Sequence, residues 1–221
     1  MNNPMITDAL LDGRSIIVVG HAPLDSKVTA FQSLVDALAN KRKLGVIDEH
    51  HVLPTVPPSA TVIDADGKGV DAIHHTIRED NITAVAFPTM RRSEIVRMLM
   101  DYAGQENGQV LMINEGMSDA VQTLRGDLPM MLLKSSPSGH TEFSDAAIKA
   151  MDPVVVTLDR NGNVLVTNRA SYDLVVNHFV LTSSAKPNQT LYELVQLCKE
   201  RSIEYTDRLP ITKKEPYEYT L

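Results

Sequence analysis

Cysteine is nearly absent: Cys198 is the single thiol in 221 residues, so no disulfide can close within the chain. It lies on a helical pattern, where a small buried apolar role is expected, and a reducing, cytoplasmic setting follows. Long apolar runs are also missing. No segment approaches the roughly 20 residues that a membrane-spanning helix needs, so a soluble chain with no membrane partner is expected. The opening MNNPMITDALLDGRS has no basic flank followed by an apolar stretch, so no secretory signal is expected there. Basic charge is in deficit: 21 Lys and Arg against 28 Asp and Glu leave a net −7. That balance argues against a broad nucleic-acid surface, while a local basic strip stays open. No long heptad pattern is present, which speaks against a helical bundle. No complete nucleophile–base set stands out either.

What is present suits a globular protein, with 43% hydrophobic and 22% charged residues, and the length allows one large domain or two small ones. Short apolar runs at 15–20 (SIIVVG), 44–47, 60–63, 82–87, 110–113, 130–133 and 154–158 predict strands, the run 110–113 buried on both faces. Between them, helical spacing predicts helices over 27–41, with Phe31, Leu34, Val35 and Leu38 inward, and over 70–79. A further helix, capped by Ser93, carries Ile95, Met98, Leu99 and Tyr102 inward, and another spans 143–151. Residues 164–167 read as the return arm of a hairpin. The stretch 174–181 is ambiguous, 190–200 is expected to be helical, and the tail from Leu209 is a surface arm. Strand following helix in this way predicts an α/β fold, a mostly parallel sheet flanked by helices in Rossmann-like layers. The polar break at 105–108 is the one plausible internal boundary, giving 1–104 and 105–221 as two α/β domains or one continuous domain. A shared pattern of Pro, apolar strand and Asp-x-(Asp/Asn)-Gly, at Pro58/Asp64/Gly67 and Pro153/Asp159/Gly162, suggests similar halves.

The stretch QVLMINEGMSDAVQTL (109–124) concentrates the functional signal. Its apolar strand ends at Glu115-Gly116, after which Ser118 or Asp119 can cap a helix carrying Ala120, Val121 and Leu124 inward. A carboxylate therefore stands at the carboxyl end of a buried strand, where open α/β sheets bind their ligands.

Together with VVVTLDRNG (155–163), this stretch resembles the Toprim domain of primases, topoisomerases and some nucleases, over about residues 108–183. The resemblance implies Glu115 as acid/base or metal ligand, Asp159 and Asn161 as metal positions, and Mg²⁺ as cofactor. Phosphodiester chemistry is implied with it, nucleolytic or nucleotidyl-transferring, because a hard cation takes oxygen ligands and steadies charge at phosphorus. Asn161 departs from the family's aspartate and removes one negative charge. His140, in a Ser-Gly-His loop, is a candidate for proton transfer near Glu115. On that reading Glu115 and Asp159 lie at neighbouring strand ends, and nucleic acid or nucleotide is the partner.

Other constellations have weaker claims. Asp64-x-Asp66-Gly67, with Thr89 after the next strand, resembles the nucleophile loop of haloacid dehalogenase-like phosphatases, and a solvated turn is the plainer account. Asp48, Glu49, His50 and His51 carry metal-ligating atoms, yet adjacent histidines point apart on extended chain; His74-His75 is similar. Arg91, Arg92, Lys134, Arg160 and Arg169 are candidate phosphate contacts. Two functions of different class remain: a Mg²⁺-dependent enzyme of phosphodiester or phosphoanhydride chemistry, and a non-catalytic α/β module that binds protein partners or builds an assembly.

Overall fold

Successive residues of a strand face opposite sides of a sheet, and in this chain both sets are apolar. Ile17 and Val19 enter one core, Ile16 and Val18 the other. Strands of this composition are stable only when helices cover both faces, as the βαβ crossover provides. The computed structural model, which describes residues 4–106, 108–135, 141–161 and 163–167, has this architecture. Strands β1 (Ile16–Gly20), β2 (Leu44–Val46), β3 (Thr61–Val62), β4 (Ala84–Phe87), β5 (Gln109–Ile113), β6 (Val154–Leu158) and β7 (Val164–Thr167) form one sheet in the order β3-β2-β4-β5-β1-β6-β7. Every neighbouring pair is parallel except β6–β7, which is an antiparallel hairpin.

Helices α1 (Pro4–Leu11) and α2 (Leu24–Ala39) cover one face through Ile6, Leu10, Phe31, Leu34, Val35 and Leu38. On the other lie α3 (Val70–Glu79), α4 (Ser93–Gln105), α6 (Leu128–Lys134) and α7 (Thr141–Met151), contributing Ile73, Ile95, Leu99, Leu132 and Ile148. A one-turn helix α5 (Ala120–Gln122) and a π-helical turn, Thr123–Asp127, lead from β5 into α6. No helix among the described residues is long and apolar enough to cross a membrane. Strands on both sides of 105–108 share the one sheet.

The expected α/β class and parallel sheet are borne out, and two local expectations are corrected. Residues 130–133 are helical: Leu128 and Leu132 are buried one turn apart while Met130 is 54% exposed, and Pro129 suits a first helical turn. Ser93 begins α4 but does not cap it; the capping position is Arg92, whose side chain makes no cap bond. Helix α1 is an addition, its Ile6, Ala9 and Leu10 recurring at helical spacing. Asp119 does cap α5, its carboxylate accepting from the Gln122 amide at 2.8 Å. The expectations for 174–181, 190–200, Cys198 and the tail fall outside the described residues.

Candidate functional site

The parallel strands deliver their exits to one edge of the sheet, and three exits meet there: β1 into α2, β4 into α4, β5 into α5. The turn after β1 is tightly held. Gly20 has φ +119°, its amide donates to the Ser118 carbonyl at 2.8 Å, and a Cβ on it would stand 2.0 Å from the Leu158 carbonyl oxygen. Only glycine fits such a backbone approach. From there Ala22 and Pro23 lead into α2, whose fourth residue is Lys27.

Lys27 is fully buried. Its ammonium donates to the carbonyls of Asn114 at 3.1 Å and Gly116 at 2.5 Å, which bracket Glu115. Burial pushes its pKa down and the nearby Glu115 carboxylate opposes that shift. A cation near a helix N-terminus also works against the helix dipole. A buried lysine in this place is therefore not a packing convenience.

Glu115 lies just beyond β5, its side chain 16% exposed. Its Oε1 accepts from the Thr89 hydroxyl at 2.9 Å and from Arg91 Nε at 2.9 Å, so the β4 exit is tied to the β5 exit. Thr89 Oγ1 in turn accepts from the Arg91 amide at 3.2 Å. Arg91 remains 61% exposed and turns toward solvent from this edge. Behind Glu115, the buried Asn114 donates its side-chain amide to Thr123 Oγ1 at 3.0 Å and to Asp127 Oδ2 at 2.6 Å. Arg92 turns the other way, onto Glu49 and the carbonyls of Ala65 and Lys68. Glu49 Oε2 is buried without a partner among the described residues.

The candidates read from sequence divide sharply. Asp159 follows β6, and β1 stands between β6 and β5, so Glu115 and Asp159 do not follow neighbouring strands. The Asp159 carboxylate accepts three bonds from its own turn: the Asn161 amide at 2.8 Å, the Asn163 amide at 2.8 Å and the Asn163 side chain at 2.7 Å. Asn161 takes part through its backbone. Asp64 does likewise, accepting from the Asp66 amide at 3.1 Å, and the Lys68 ammonium beside it lowers its pKa. Asp48 is spent on the amides of Val52 and Leu53, while His50 and His51 are exposed. His74 pairs with Glu106 and His75 with Glu79. Lys134 and Arg160 are exposed; His140 and Arg169 lie outside the described residues. Among the described residues no group of three His, Cys, Asp or Glu is placed to hold a metal ion, which overturns the expected metal-binding character.

Lys27 is the residue that sequence reasoning missed. The available signal was a glycine ending a buried strand, followed by Ser26-Lys27 inside the first turn of the next helix.

No family model matches the chain, and no curated relative does. Solved structures do resemble it. The VirB11 ATPase from the Brucella suis type IV secretion system, in complex with sulphate, is 16% identical with a TM-score of 0.56, covering 69% of this chain and 45% of its own. The pilus retraction motor PilT with bound ADP is 16% identical at TM-score 0.55, covering 96% and 66%. The Legionella pneumophila ATPase DotB is 13% identical at TM-score 0.56, covering 94% and 62%. The chain thus spans from under half to about two thirds of the length of these proteins. The likeness overturns the Toprim resemblance and the nucleic-acid role that came with it. The physical reason is visible in α6, which is helix where the Toprim reading required a strand. At such identities the likeness establishes the fold: a parallel α/β sheet of the kind these ATPases share.

Proposed function

We propose that this chain binds the polyphosphate of a nucleoside triphosphate at the carboxyl edge of the sheet, over the β1–α2 turn, and acts on its phosphoanhydride bond. The observation that carries this is buried Lys27 in the first turn of a helix that follows a central parallel strand. Phosphate-binding loops of the form GxxxxGK[ST] put a lysine in that place, where the helix N-terminus and the ammonium both favour an anion. VirB11 and DotB are ATPases, PilT holds ADP and VirB11 a sulphate, which supports the same ligand class here. VirB11 belongs to a secretion system and PilT is a retraction motor, so protein partners in an assembly of that kind belong to this reading.

On this reading Lys27 supplies a point charge to the phosphates, and Arg91, the exposed cation at the same edge, a second. On the same reading Glu115 orients a water for attack on the terminal phosphorus and takes the proton that the water gives up. The bond to the bridging oxygen breaks, and the charge left there is neutralised by Lys27. Magnesium, the usual companion of a triphosphate, has no ligand set built for it among the described residues. Val28 follows Lys27 where the motif has a hydroxyl, and no carboxylate group is assembled. No step is therefore assigned to it.

That departure, with Ser26 in place of the motif's second glycine and Gly20 seven positions before Lys27 where the motif has six, favours a second reading: nucleotide binding without turnover, in a non-catalytic assembly module. Calorimetry with ATP, ADP and pyrophosphate, alongside phosphate-release kinetics, separates the two. Binding is expected, weakened at least about tenfold, or ~1.4 kcal/mol, in Lys27→Ala. Binding with no phosphate release selects the second reading. No binding at about 1 mM ligand, or equal binding in Lys27→Ala, overturns both.

A further inference from the structure

The same lysine is connected to a second feature that the nucleotide reading leaves unused. Residues Thr123–Asp127 form a π-helical turn between α5 and α6, in which the Leu128 amide bonds back to the Thr123 carbonyl. Such turns are rare and less well bonded than α-helix, and they persist where side chains hold them. Here one residue holds both ends. Asn114 donates one side-chain bond to Thr123 at the start of the turn and another to Asp127 at its end. Its side-chain oxygen accepts from the Gly116 amide at 3.0 Å, and its backbone carbonyl accepts from Lys27. Asn114 is buried, so no solvent replaces a partner that is lost.

Resting on the reading of Lys27 as the phosphate-binding lysine, we propose that Asn114 is a positioning residue that couples occupancy of the phosphate site to the π-helical turn. An ammonium has three donors, and in the structure two are spent on the carbonyls of Asn114 and Gly116. A polyphosphate competes for those same donors. As Lys27 turns to phosphate, the Asn114–Gly116 segment loses its clamp and Asn114 releases Thr123 and Asp127. The π turn, without the side chain that holds both its ends, then opens more readily. Loosening at the turn frees the helix beyond it to shift, which changes the face that α6 presents. Met130, 54% exposed on α6, lies on the element that shifts. Polyphosphate is thereby converted into a change of surface, which is what an assembly partner can sense.

Hydrogen exchange on the intact chain tests this in two arms. With saturating pyrophosphate or ATP, amides of 124–132 are expected to exchange about tenfold faster, since local opening there becomes easier, while amides of β2 and α3 stay unchanged. In Asn114→Ala the same amides should exchange quickly with and without ligand, and affinity should hold within about threefold, or ~0.65 kcal/mol. The second arm needs no ligand: Lys27→Met removes the clamp and should speed exchange over 124–132 by itself. Unchanged exchange in Lys27→Met overturns the coupling whatever binds. Ligand binding with unchanged exchange at 124–132 in the wild type also overturns it, and leaves the nucleotide reading standing. Absence of ligand binding sinks that reading alone, and the Lys27→Met arm still decides the coupling between Lys27 and the turn.

Discussion

Glu115 and Asp159 look alike in sequence: each is a carboxylate just past an apolar strand, at the same edge of one sheet. Their surroundings differ in kind. Asp159 accepts from residues two and four positions ahead, bonds that shape its own hairpin turn. Glu115 takes the hydroxyl of Thr89, 26 residues earlier, and the guanidinium of Arg91, and it stands beside a buried ammonium from α2. A carboxylate served by its neighbours shapes a turn. One held by side chains from other elements ties those elements together and keeps partners that a ligand can exchange.

Gly20 is where both surroundings can be disturbed at once, because its amide is bonded to Ser118 on the β5 side and its Cα faces Leu158 on the β6 side. Gly20→Ala sets a methyl against a backbone oxygen at a φ that side chains avoid, and nothing flexible is there to yield. The expected loss is about 3 kcal/mol or more by denaturant unfolding. A loss below about 1 kcal/mol would mean that the two exits move freely past each other.

A second test separates the carboxylates. Asp159→Ala should lower stability by about 1–2 kcal/mol, the range for a lost cap or turn acceptor, and leave ATP affinity unchanged. Glu115→Gln keeps its shape and can still accept from Thr89, so its stability cost should stay under about 1 kcal/mol, while phosphate release is lost. Chemical denaturation and nucleotide titration on the two variants are sufficient. Reversed behaviour, with Asp159 governing nucleotide and Glu115 only stability, would undo the distinction.

Local physics made the strands legible, since a continuous apolar run bounded by turn formers reads the same in sequence and in structure, as 154–158 does. The same rule misread 130–133, because a short apolar run does not distinguish a doubly buried strand from a helix buried on one side. Glu115 was visible as a strand-end carboxylate. Its partners were not, because nothing near it in sequence announces Thr89, Arg91 or Lys27. Lys27 itself was hidden by Ser26 and Val28, which interrupt the glycine–lysine–hydroxyl pattern, and it reads instead as the start of a helix. Asn114 gave no signal at all, since its two side-chain partners depend on a π turn that no periodicity predicts.

Glu106 supplies the smallest test and the limit of the contrast. It too is held by side chains from elsewhere, Arg78 at 2.8 Å and His74 at 2.9 Å from α3, yet it lies beside the start of β5, at the edge opposite the site. Distant partners are thus necessary for a site and not sufficient. The Arg78 guanidinium is the largest cause of a lowered Glu106 pKa, desolvation opposes it, and His74 adds to it. With the folded value below the unfolded 4.5, the unfolded chain takes up the proton first as pH falls. The stabilisation is therefore fully present above that unfolded value and is lost as pH falls through the folded one. Arg78 is 62% exposed, so solvent screening keeps the contribution small. Urea unfolding of wild type and Glu106→Gln should differ slightly at neutral pH and converge as pH falls through the lowered folded value. A difference that persists unchanged into acid would assign the effect to packing instead of charge, and Glu106 would then belong with Asp159 as a residue of shape alone.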